Sequence, residues 1–289
     1  MSNKELDTLR QEIDAVDQEI HRLLIRRTEL VLSIGDNKRN GDGEQGQAPV
    51  YLRTGREAEL LRRRLAAHEG PLPRGVVARV WRELIGAACL MQSPFRVAVF
   101  APERSAGYWD LARNHYGSSV SMSLVTSAQG ALREVSEGKS LGVLPAWSDG
   151  ESDPWWPLLV PAGDVTLHVI CRLPFYESAT GRFENFAAFV VAPFPPEASG
   201  DDLSLAVVRV DESVSRARLL DKFKAAGLEA RVVAVNNDPG GAGLTNLVEL
   251  DGYLDGDDRR LAALSENEDG AVTGVAVIGA YARPVGSLV

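Results

Sequence analysis

The apolar residues Leu6, Leu9, Ile13, Val16, Ile20, Leu23, Leu30 and Ile34 recur at intervals of three and four along the start of the chain. That spacing lines one face of an α-helix. It predicts a single amphipathic helix of more than roughly thirty residues, an unusual length for one helix of a small domain. The segment NGDGEQGQAP, residues 40–49, gathers glycines and polar residues and reads as a loop. A second helix is expected from about Arg56 through Leu60, Leu61 and Leu65, broken by GPLP at 70–73. A third then runs to about Gln92, with Trp81, Ile85 and Ala88 on one face.

After Ser93 and Pro94 the texture changes to short β-type runs, RVAVF (96–100) and LGVLP (141–145), with helical stretches near 107–116 and 127–137. A second break, PFPPEASGDD at 193–202, precedes a last unit. Its runs SLAVVRV, SRARLLDKFKAAG, ARVVAVN, LTNLVELDG, DDRRLAALSEN and GVAVIGAYA give a βαββαβ order. A chain of 289 residues accommodates two or three units of about 100 residues each. The expected organisation is therefore a helical domain over 1–93, an α/β lobe over 94–197 and a βαββαβ module over 198–289.

The net charge of −9 argues against a nucleic-acid partner. It is uneven, because residues 1–92 carry 15 Lys and Arg against 14 Asp and Glu, and the remainder 16 against 26. Two cysteines, Cys89 and Cys171, lie far apart, and four histidines are scattered, so reduced thiols and no metal are expected. The opening MSNKELDTLRQEID has no apolar signal core, and the longest apolar stretch, near Phe186–Phe194, is too short for a membrane span. A cytoplasmic protein without a membrane partner is the expectation.

Certain polar residues interrupt the apolar faces. Arg27 stands where the series 16, 20, 23 would next place a hydrophobe, and Lys38 follows Leu30 and Ile34 on the same series. Eleven residues is close to three turns, so the two cations share a face about 16 Å apart along the axis. Burying them without partners would cost several kcal/mol, which asks for a bound anion or paired carboxylates. Snorkelling at a helix edge fits the same spacing. Arg10 precedes Arg27 by about 25 Å of helix and is turned roughly 100° from it, so it could join the same ligand only from a second chain. On the second helix Glu57 stacks with Leu61 and Leu65 beside Arg56, and on the third Gln92 follows Trp81, Ile85 and Ala88. An inward glutamine is also read as a satisfied core amide. The run Arg62, Arg63, Arg64 reads as a solvated face.

The segments LRQEIDAVDQEIHRLLIRRTELVLSIGDNK, VYLRTGREAELL, GPLP and ARVWRELIGAACLMQ resemble the all-helical class of chorismate mutase, most of all the mutase domain of bifunctional chorismate mutase/prephenate dehydratases. The resemblance covers residues 5–92. It implies that Arg10 of a partner chain and Arg27 hold the two carboxylates of chorismate, with Arg56 nearby. Lys38 and Gln92 would donate to the ether oxygen, and Glu57 would bind the ring hydroxyl. Lys38, Gln92 and Arg27 are thus the implied catalytic residues, in a homodimer with shared active sites and no cofactor. Arg53 stands where some members have an aspartate, and Ala88 where a serine occurs.

FRVAVFAPERSAGYWDLARNHYG and SAQGALREVSEGKSLGVLP resemble the first lobe of prephenate dehydratase. Here Pro102, Glu103, Arg104 and Ser105 replace its glycine-rich opening, and Trp147, Ser148 and Asp149 replace its Glu-Asn-Ser. Gly181, Arg182 and Phe183 replace its Thr-Arg-Phe, with Thr180 a poor substitute for the catalytic threonine. The chain is also too short there for the second lobe. LVELDGYLDGDDRRLAAL and VIGAYARPV are similar to an ACT regulatory domain, which implies an amino-acid effector. The turns DESVSRARLL and VAVNNDPGG leave that effector open. The resemblance as a whole implies a chorismate mutase with an inactive dehydratase-like half. Rival readings are retained dehydratase activity, an isochorismate pyruvate lyase, and a non-catalytic amino-acid sensor.

Overall fold

The computed structural model describes residues 3–40, 52–102, 106–146, 154–161, 165–176, 186–237, 243–265 and 270–286. The expected loop at 41–49, the substitutions at 103–105, 147–149 and 180–183, and the turn at 238–240 lie outside the described residues. By packing the chain forms two compact units, residues 1–51 with 88–94, and residues 52–87 with 95–289.

In the first unit, α1 (Asn3–Asn40) is a single helix of 38 residues. The strip of α1 that is buried or half-buried is Leu24, Arg27, Thr28, Val31, Gly35 and Lys38, again at three and four spacing. The apolar stripe from Leu6 to Ile34 lies beside that strip and is exposed, Ile13 by 59% and Val16 by 57%.

In the second unit, α2 (Thr54–Ala66) buries Gly55, Ala58, Leu61 and Leu65. Pro73 precedes α3 (Arg74–Gln92), whose residues 74–87 belong to this unit, and its carbonyl accepts from Val76 and Val77 as the first turn forms. The buried face of α3 runs Ala78, Arg82, Ile85, Cys89, so Trp81, expected on that face, sits at its margin with Arg64 stacked 5.3 Å from its ring centroid.

Nine strands form one sheet among the described residues, in the order β2-β1-β3-β5-β4-β9-β6-β8-β7. β1 (Arg96–Phe100) pairs in parallel with β2 (Ser121–Val125) and β3 (Leu141–Pro145). Its central Val97, Ala98 and Val99 are fully buried, as a strand covered on both faces requires. α4 (Ala106–Tyr116) packs against one face through Leu111 and Ala112, and α5 (Ala128–Ser136) packs against the other through Ala131, Leu132 and Val135. Ser127 caps α5 by accepting from the Gly130 amide.

The βαββαβ order expected at the C-terminus is observed as β6 (Asp202–Val210), α6 (Arg216–Ala225), β7 (Ala230–Asn237), β8 (Leu244–Asp251), α7 (Arg259–Ser265) and β9 (Val272–Ala282). β4 (His168–Leu173) and β5 (Ala188–Ala192) pair antiparallel, and the register Val169 to Gly279 joins β4 to β9. Gly279 has φ +146, and a Cβ there would lie 2.1 Å from the Val169 carbonyl oxygen. Only glycine admits so close an approach. The two expected α/β pieces thus share one sheet, and a core containing Leu144, Phe189, Leu205, Leu247 and Tyr281 continues across the junction.

Candidate active site

The Gln92 amide Nε2 donates to the Val31 carbonyl at 2.7 Å. Val31 lies four residues after Arg27 and seven before Lys38 on the half-buried strip of α1, so Gln92 approaches that strip between the two cations. Burial lowers the pKa of Arg27 from its usual value, with Cys89 opposing the shift. At neutral pH it remains a cation, held where solvent screens it less than a surface arginine. Two cations and an amide donor thus share one strip, groups of the kind that bind carboxylates.

Arg10 is remote from this strip. Its side chain is 74% exposed and pairs with Asp7 at 3.0 Å, one turn away on α1. Arg56 and Glu57 belong to α2 in the second unit, where Arg56 is exposed and Glu57 half-buried. There Arg82 of α3 donates from Nη1 to Glu57 Oε2 at 3.0 Å. The two side chains are 8% and 12% exposed, a buried ion pair. Sequence reading passed over Arg82, although it occupies the same kind of position as Arg27, a cation on a three and four apolar series.

A second correction concerns the arginine run. Arg62 is not solvated. Its guanidinium donates to the carbonyls of Ser199, Asp201 and Arg283 and to the Ser199 hydroxyl. Arg63 and Arg64 are exposed, as expected. Arg53, where an aspartate occurs in some of the resembling enzymes, pairs with Glu197 at 2.7 Å. Gly55 lies so close to the segment at 197–198 that a Cβ would meet the Ala198 oxygen at 2.5 Å.

A cavity of about 10 Å³ adjoins Glu57 and Arg82, lined also by His115, Cys171 and Phe175, with room for about one water. Burial holds the His115 pKa well below the usual histidine value, helped by Arg82, and pushes the Cys171 thiol up to about 12. Both are therefore uncharged at neutral pH. Cys89 and Cys171 are both buried thiols outside any disulfide. Among the described residues no group of His, Cys, Asp and Glu has metal-site geometry, and no helix is long and apolar enough to cross a membrane.

Residues 9–93 match the family described as chorismate mutase type II, so this stretch carries a mutase domain of that family. The bifunctional chorismate mutase/prephenate dehydratase of Pseudomonas aeruginosa is 30% identical over 148 residues, 51% of this chain and 40% of that protein. Its counterpart in Neisseria gonorrhoeae is 36% identical over 94 residues, 32% of this chain and 24% of that protein. The chain therefore aligns with less than half the length of these relatives. A prephenate dehydratase from Arthrobacter aurescens, solved with L-Phe, superposes with a TM-score of 0.46 at 15% identity, over 65% of this chain and 90% of that one. At that distance the likeness bears on no activity.

Proposed function

We propose that this protein is a chorismate mutase, rearranging chorismate to prephenate on the pathway to phenylalanine and tyrosine. The observation that carries the reading is the half-buried strip with Arg27, Lys38 and the Gln92 amide, inside the stretch that matches the mutase family. The reaction is pericyclic and needs no nucleophile, cofactor or proton transfer. It needs the enolpyruvyl ether held folded, and donors aimed at the oxygen where negative charge grows in the transition state. Arg27 anchors a carboxylate, and Lys38 and Gln92 donate to the ether oxygen. Glu57 binds the ring hydroxyl with Arg56 nearby, and Arg10 reaches a carboxylate from a partner chain.

The dimer this requires is supported by the exposed stripe of α1. A contiguous row from Leu6 to Ile34 left in water is far from what a stable monomer tolerates. Two such stripes burying one another would form an isologous interface. The C-terminal half, proposed as a dehydratase-like lobe and an ACT-like module over 94–197 and 198–289, is assigned no dehydration chemistry, because Gly181 stands where that family has its threonine.

One assay tests the reading. Purified full-length protein is incubated with chorismate, and chorismate loss is followed alongside prephenate, phenylpyruvate and pyruvate. Prephenate alone is expected. Pyruvate would indicate lyase chemistry, phenylpyruvate above the acid-catalysed background a working dehydratase, and no turnover would remove the enzymatic reading.

A further inference from the structure

We propose that Arg82 is a positioning residue for the mutase reaction, fixing the Glu57 carboxylate and thereby making the C-terminal sheet part of what shapes the site. The inference rests on the reading above, in which Glu57 binds the ring hydroxyl of the substrate.

The Arg82 guanidinium is constrained from two directions. It donates to Glu57 at 3.0 Å, and it lies over the ring of Phe175 at 5.3 Å from the centroid. Phe175 is a buried residue of the α/β half, two residues beyond the end of β4. A planar cation stacked on an aromatic face retains little rotational freedom, so the carboxylate it holds is fixed as well. Among the groups lining the adjoining cavity, His115 from α4 and Cys171 from β4 are neutral at pH 7, which leaves Arg82 as the cation facing Glu57 there.

The backbone bearing Glu57 is held from the same side. Arg62, on the same helix, donates to the Ser199, Asp201 and Arg283 carbonyls and lies 5.7 Å from the centroid of the same Phe175 ring. These carbonyls lie where β6 begins and β9 ends. A hydroxyl-binding acid must point in one direction to act, and misplacement by about 1 Å costs on the order of 100-fold in rate. Here the helix is anchored by residues of the C-terminal half, and its acid by Arg82, itself held over Phe175.

The test is a double-mutant cycle on the full chain, measuring kcat and KM for chorismate in the wild type, Arg82→Gln, Glu57→Gln and the double variant, with folding checked by circular dichroism. If Arg82 acts through Glu57, Arg82→Gln lowers kcat/KM by about 10-fold or more in the wild-type background and by less than about 3-fold in the Glu57→Gln background. Arg82→Lys, which keeps the charge and loses the stacked fork, should fall between. Equal losses in both backgrounds would show a general structural effect and overturn the proposal, as would an unchanged Arg82→Gln enzyme. Should Arg82→Gln fail to fold, the cycle is run with Arg82→Lys on the same criterion. An inactive wild type would defeat the mutase reading and this proposal together, whereas an active wild type without coupling defeats this proposal alone.

Discussion

Arg27 and Lys38 lie eleven residues apart on the half-buried strip of α1, with Val31 between them and the Gln92 amide bonded to the Val31 carbonyl. Under the mutase reading these two cations hold an anionic ligand. Arg27→Ala and Lys38→Ala are each expected to lower kcat/KM for chorismate by at least about 100-fold, since each removes a charge-assisted contact worth roughly 3 kcal/mol. Steady-state kinetics on folded variants checks this. Near-wild-type rates in both would end the assignment of this strip.

The exposed stripe of α1 and the remoteness of Arg10 make a joint prediction. Inactive Arg10→Ala and Lys38→Ala chains, mixed and refolded to allow exchange, should regain part of the wild-type activity, because a hybrid dimer can assemble one intact site. Exchange shown by mass-tagged chains without any recovered turnover would count against a contribution from the partner.

The helical part was legible because three and four periodicity is a local signal, and α1, α2 and α3 fall where their apolar series and the GPLP break place them. The strands RVAVF and LGVLP and the whole βαββαβ order were equally local. β2, with its mixed sequence SMSLV, was not singled out, nor were β4 and β5. Their identity depends on what covers them. The joining of two α/β pieces into one sheet was invisible, since it rests on contacts far apart in sequence, such as the close approach at Gly279 and the shared core. On α1, the face that Arg27 and Lys38 share could be read from helical geometry. The role of Arg62 could not, because its partner at Ser199 is 137 residues away and an arginine triplet taken alone resembles a solvated face.

That long-range anchor sets a stability prediction. Arg62→Ala removes a half-buried guanidinium that bonds carbonyls at the start of β6 and the end of β9. Some acceptors keep a partner, since the Asp201 oxygen also accepts from the Arg283 amide. The expected loss is about 2–3 kcal/mol of unfolding free energy, read as a lower urea midpoint at unchanged slope. An Arg62→Ala chain as stable as the wild type would show these bonds to be energetically idle.

Burial of Cys171 beside neutral His115 predicts chemical inertness. With its thiol pushed up to about 12, the thiolate that reacts with disulfide reagents is nearly absent at pH 8. Native protein treated with a thiol reagent at pH 8 should leave Cys171 unmodified by peptide mapping, and denatured protein should react there within minutes. The sign follows from desolvation, which disfavours the charged form, so raising pH towards the shifted value is the only titration that exposes reactivity in the folded state. Rapid native labelling at Cys171 would contradict the burial.

The last prediction separates a catalytic amide from a structural one at Gln92. As an amide it donates its N–H to the Val31 carbonyl at 2.7 Å and can donate to a bound ether oxygen at any ordinary pH. In Gln92→Glu the ionised carboxylate would face that carbonyl with no proton between two acceptors. Arg27 and Lys38, about 6 and 10 Å along the axis from Val31, pull its pKa down. The carbonyl is in direct contact, however, so the folded pKa is expected to rise above the unfolded value of about 4.3. By linkage, the variant's stability relative to wild type is fully kept below the unfolded pKa and is lost as pH rises through the folded pKa. That much follows whether or not Gln92 takes part in the reaction. Catalysis adds a second signature, since a carboxylate cannot donate to the ether oxygen and repels the substrate's own negative charges. Wild-type activity should be nearly flat between about pH 5.5 and 8, where Lys38 and the arginines keep their charge. Folded Gln92→Glu protein should be slow at neutral pH and recover part of its kcat as pH falls. Measuring kcat per folded molecule, with the folded fraction taken by circular dichroism at each pH, separates the two effects. A variant that loses stability at high pH yet turns over at full rate throughout would mark Gln92 as a core amide tying α3 to α1.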